Sequence, residues 1–157
     1  MLKKFIPPIL LVGTLLSFRP NDIVHEGSLE GGKPPGTAHR MLKALAGTYQ
    51  YAGGIYNGKA EKPSGGYTLQ RKYDKMTYTG LFIEKGEQTL IYEKGNYRLA
   101  QDTCFETQTY SSQPSKVTGV TLHYQYQLRH DTLSLKGGLP NGTTVLEYWK
   151  KVNGNPL

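Results

Sequence analysis

At 157 residues, with 37% hydrophobic and 20% charged side chains, the chain has enough material for one domain with its own core and too little for two. Its formal charge of +7 is spread about one Lys or Arg per strand or turn, in LQRKYDK, IEKGEQ, YEKGNYR and YWKKV, which excludes the concentrated patch of a nucleic-acid binder. A single cysteine excludes an intramolecular disulfide, and His25, His39, His123 and His130 lack ligand spacing, so neither a bridged scaffold nor a metal or other cofactor is expected.

In chain order, Lys3 and Lys4 precede an apolar run from Phe5 to Phe18, the charge-then-apolar order of a secretory signal. Residues 1–18 are expected to be a signal peptide and the protein to be exported, to a periplasm or to the outside. The run is short for a span, and Pro7 and Pro8 interrupt it, so no permanent membrane anchor is expected. Residues 19–36, rich in Gly, Pro and charge, read as a flexible linker. The domain then occupies 37–157. It opens with a short helix that Thr37 caps, that Met41, Leu42 and Leu45 make amphipathic and that Gly47 stops.

From Gly47 the chain alternates with period two. GTYQYAG predicts a strand ending at Gly53 and Gly54, and IYNGKAEKPSGG a long loop. YTLQRKY and KMTYTGLFIE predict a pair turning near Asp74. QTLIYE, NYRLAQ and TCFETQTYS follow as three strands, divided by KGN and by the region of Asp102. SSQPSKVTG leads into TLHYQYQLR, then DTLSLKGG and TTVLEYWKKV, the last two joined at Asn141-Gly142, a strong hairpin signal.

Eight or nine consecutive strands with short turns, and no helix long enough for a parallel crossover, make an antiparallel meander. Closing it removes both exposed edges. The fold class expected is therefore all-β: an up-and-down β-barrel of about eight to nine strands with a short N-terminal helix, a β-sandwich being the alternative. Closure requires Gly47–Tyr49 and Leu146–Trp149 to lie on adjacent strands.

The segments LKALAGTYQY, EKGNYRLAQDTCFETQTYSS and DTLSLKGGLPNGTTVLEYWKKV together resemble the bacterial lipocalin-like, calycin-type barrels over about residues 41–152. That resemblance implies a helix plugging one barrel end and a small ligand inside. Tyr49 stands where the lipocalin signature has Trp, and the basic residue covering that position corresponds to Lys150 or Lys151.

Parity sets a provisional interior of Leu69, Met76, Tyr78, Phe82, Leu90, Tyr92, Tyr97, Leu99, Leu122, Tyr124, Tyr126, Leu128, Leu133 and Leu135, its five tyrosines tipped with hydroxyls. Either these line a hydrated pocket or the hydroxyls reach the wet ends of the barrel. Tyr78, Phe82, Tyr92, Tyr97, Glu106, Tyr110, Tyr124 and Tyr126 are the candidate ligand-binding residues. Glu106 shares parity with Cys104 and Tyr110 and faces inward opposite Arg71 or Arg98, unless Phe105 takes the inner face. Cys104 reads as a small buried hydrophobe, Trp149 as core and His123 as surface.

The expected function is non-enzymatic: an exported barrel enclosing a small hydrophobic or amphipathic molecule, with no nucleic-acid partner and an oligomeric state the sequence leaves open. The alternatives are a solid-cored envelope protein acting through its surface, and a barrel enzyme pairing Glu106 with Tyr124 or Tyr126.

Overall fold

A computed structural model describes residues 45–153. The expected signal peptide, the linker and the expected helix up to residue 44 lie outside the described residues; Leu45, the first described residue, is fully buried. Nine strands follow: β1 (Gly47–Tyr56), β2 (Lys59–Glu61), β3 (Tyr67–Tyr73), β4 (Thr77–Glu84), β5 (Leu90–Ala100), β6 (Thr103–Ser111), β7 (Thr121–Arg129), β8 (Thr132–Gly138) and β9 (Thr144–Val152).

All pairings are antiparallel between chain neighbours, except that β1 skips to β3 and also pairs with β9. Thr48 faces Val152 and Tyr51 faces Trp149, so eight strands close into a barrel. The sandwich alternative is thereby set aside. The three-residue β2 lies outside the closed ring and pairs only with the end of β1. It forms a hairpin on Asn57-Gly58, whose φ values of 49° and 79° suit a two-residue turn with both central residues left-handed. The first strand thus does not end at Gly53 and Gly54 but runs to Tyr56, and the segment expected as one long loop contains its end and a further strand, because Asn-Gly twists the chain back with the right hand.

The other correction to the strand list concerns β5. QTLIYE and NYRLAQ are not two strands; Leu90–Ala100 runs unbroken through Gly95. Gly95 serves packing there rather than a turn: a Cβ on it would strike the Tyr78 ring and the Thr107 carbonyl. Gly80 does the same for Tyr92 and Glu93.

Turns at Asp74, Asp102 and His130 mark one barrel end, where both β1 begins and β9 finishes. That end is closed by rings. Tyr73 meets Tyr49 edge-on at 6.0 Å and Tyr97 at 5.0 Å, each such pair contributing about 0.5–1.5 kcal/mol beyond its buried area. The Tyr97 hydroxyl donates to the Asp74 carbonyl at 2.9 Å, and Tyr126 donates to that of Gln101 at 3.2 Å. Lys151 lies 5.8 Å from the Tyr49 ring centre, the basic cover that the resemblance implied.

Three bulges decide where parity fails. Between Tyr51 and Gly53 the β1–β9 register shifts by one residue, between Gly80 and Leu81 the β4–β5 register, and between Lys94 and Gly95 the β5–β6 register. Each extra residue swaps the faces beyond it.

Candidate functional site

The alternation of β7 places Leu122, Tyr124, Tyr126 and Leu128 on the inner side and His123, Gln125, Gln127 and Arg129 in solvent. Of the candidate residues, Tyr78, Phe82, Tyr97, Glu106 and Tyr124 are buried inside, and Tyr92 and Tyr126 are partly buried against the same core. Tyr110 is not among them. It is 46% exposed, because Thr109 is the extra residue of the β6 bulge and Tyr110 pairs with the outward Lys94. Met76 and Leu90, expected inside, are also exposed: Met76 precedes β4 in the turn after Asp74, and Leu90, although opposite the inward Phe82, is the first residue of β5 at the barrel end.

What sequence reasoning underweighted is the charge in the middle. Four ionisable side chains of opposite sign are buried there: Arg71 from β3, Glu93 from β5, Glu106 from β6 and Glu147 from β9. The Arg71 guanidinium spans the lumen. One terminal nitrogen lies 2.7 Å from Glu93 and the other 3.1 Å from Glu106, while its central carbon sits 4.8 Å above the Trp149 ring and 5.1 Å from that of Tyr78. Glu106 also accepts from the Tyr73 hydroxyl at 2.6 Å. Of the two arginines expected opposite it, Arg71 is the partner, since Arg98 lies outside the barrel over Phe105, at 3.6 Å.

From Glu93 the network runs outward. Gln108 donates its amide to Glu93 at 3.1 Å and accepts from Ser115 at 2.7 Å and Thr118 at 2.9 Å, tying the β6–β7 loop to the buried charges. A second cluster lies toward the opposite end from the ring-closed one. Glu147 accepts from Tyr56 and from the Trp149 indole, each at 2.9 Å, and the Tyr51 hydroxyl is 3.3 Å from that of Tyr56. Tyr67 stacks on Phe82 at 4.8 Å nearby on β3 and β4.

Burial pushes the Glu106 carboxyl above its ordinary value; Arg71 and the Tyr73 hydroxyl oppose that push, and Glu93 and Glu147 reinforce it. Burial opposes the charge of Arg71, yet Glu106, Tyr73 and Glu93 hold its affinity for the proton well above normal. Burial raises the Cys104 thiol and the Tyr73, Tyr78, Tyr92 and Tyr124 hydroxyls, so these remain protonated near neutrality. A protonated, buried Cys104 fits the packing role expected of it.

This signal was partly legible. Arg71 stands on the parity of Leu69 and Tyr73, and Glu147 on that of Trp149. Glu93 had no such sign, because it follows Tyr92, itself expected inside, and only the bulge lets both neighbours turn inward.

On the outer wall, Phe105, His123, Gln125, Lys136, Ile55 and Leu146 border an open groove of about 620 Å³. Phe105 and His123 meet edge to face there, 4.8 Å apart.

No protein-family model matches the chain, and no curated protein matches it. Among solved structures it is similar to a mutant of the fluorescent protein UnaG, with 11% identity and a TM-score of 0.39, over 73% of this chain and 100% of that one.

Proposed function

We propose that this protein is a non-catalytic binding barrel that holds a small amphipathic or hydrophobic molecule at the end of the lumen around Tyr51, Tyr56, Tyr67, Phe82 and Tyr92. The observation that supports the reading is the charged lumen itself. An aliphatic filling would stabilise a barrel of this size at least as well, since buried ion pairs about break even against well-packed apolar residues. A guanidinium and three carboxylates in the middle therefore call for a reason other than stability, and polar groups set among aromatic walls are what a small-molecule site uses. Arg71 Nε, buried without a hydrogen-bond partner in the structure, is one free donor among them. Export, as a periplasmic or secreted protein, rests on Lys3, Lys4 and the apolar run that follows.

Native mass spectrometry of the purified protein, followed by denaturation and small-molecule analysis, tests the reading. A stoichiometric adduct released on unfolding is the expected result. A bare chain that also fails to bind amphiphilic probes sinks it and moves attention to the outer groove beside Phe105 and His123.

A further inference from the structure

Glu147 differs from the other two buried carboxylates. Glu93 and Glu106 share Arg71, whereas both bonds to Glu147 come from neutral donors, Tyr56 and Trp149. Each of its oxygens accepts one of these bonds. Among the described residues it has no cationic partner, and the buried charged groups are three carboxylates against one guanidinium. The three do not converge as a metal site among those residues. Around Glu147 stand aromatic rings instead: Trp149 with Tyr51 edge-on at 5.4 Å, and Tyr56, which is only half-buried and so connects the carboxylate to the outside. A buried carboxylate satisfied only by neutral donors and set beside aromatic rings suits an organic cation.

Resting on the binding function proposed above, we infer that the ligand carries a protonated amine, held by Glu147 beside the rings of Tyr51 and Tyr56. An anionic headgroup would meet Arg71 already neutralised by Glu93 and Glu106, with Glu147 adding further negative charge. The preference runs against the chain's overall charge of +7, so exterior attraction would favour anions and cannot imitate it.

The test uses decylamine, decanol and decanoate, one chain length with three headgroups, titrated at neutral pH below micelle formation. Trp149, the sole tryptophan, reports through its emission. Decylamine should bind about tenfold tighter than decanol, with decanoate weakest. Glu147→Gln should bring decylamine down to the level of decanol and leave decanol within about threefold, while His123→Ala, on the outer wall, should retain the amine preference. If Glu147→Gln does not fold, the ranking in the unaltered protein decides. Decanol or decanoate binding as tightly as decylamine, or a folded Glu147→Gln with the amine preference intact, overturns the inference while leaving the binding function standing. If none of the three binds and native mass spectrometry shows a bare chain, both readings fall together.

Discussion

Replacing Arg71 by Met keeps much of the side-chain volume and removes the only buried cation among the described residues. Glu93 loses a 2.7 Å partner and Glu106 a 3.1 Å partner, while the rings of Tyr78 and Trp149 lose the charge they face. Breaking a buried pair from one side costs about 3–5 kcal/mol, because the remaining charge has neither water nor counter-ion. With an unfolding entropy of about 2.1 cal/mol/K per residue over the roughly 110 described residues, that corresponds to a fall in Tm of about 13–22 °C. Glu106, which burial already raises and Arg71 opposes, then binds its proton still more readily in the folded state than in the unfolded chain. Stability of this kind is present below the ordinary carboxyl value and lost as pH rises, so the deficit should be smaller at pH 5 than at pH 7. Thermal melts followed by circular dichroism at both pH values measure this. The triple variant Arg71→Met, Glu93→Gln, Glu106→Gln, with no charge left unpaired by the change, should regain most of the loss. A fall of less than about 3 °C at both pH values, or a deficit that grows on acidification, would refute the account of the lumen as a paired-charge network.

In the unaltered protein, the raised Glu106 value means that its contribution to stability declines as pH rises above about 4.5, and Glu106→Gln should flatten that part of a urea-midpoint profile. Gly95→Ala should destabilise by about 1–3 kcal/mol in the same assay, since its methyl would meet the Tyr78 ring and a rigid carbonyl; a neutral result would mean that β5 does not pass so close. Tyr126→Phe should cost only about 0.5–1.5 kcal/mol, the worth of its one bond to Gln101, with cooperative melting retained. A chain beginning at Thr37 should melt as cooperatively as one that includes 19–36, whereas removal through Leu45, which is fully buried, should lower Tm measurably.

How far the sequence reaches differs from strand to strand. On β7, where no bulge intervenes, alternation alone distinguished Tyr124 from His123, because side chains of an extended strand have a period of two and one face must be dry. Asn141-Gly142 announced the β8–β9 hairpin through its left-handed preference, and Asn57-Gly58 carries the same signal for β1–β2, masked there by the charged residues around it. Barrel closure followed from strand number and the cost of open edges. Local pattern could not supply the bulges. One extra residue at Thr109 turns Tyr110 to solvent, and another in β5 brings Glu93 in beside Tyr92; each arises where neighbouring strands must curve to close, a demand of the whole ring on a single residue. Nor could it join Arg71 to Glu93 and Glu106, which are 22 and 35 residues away along the chain. Their meeting depends on the strand tilt and stagger that closure imposes, so the sequence determined which way most side chains point and only the closed barrel decided which of them touch.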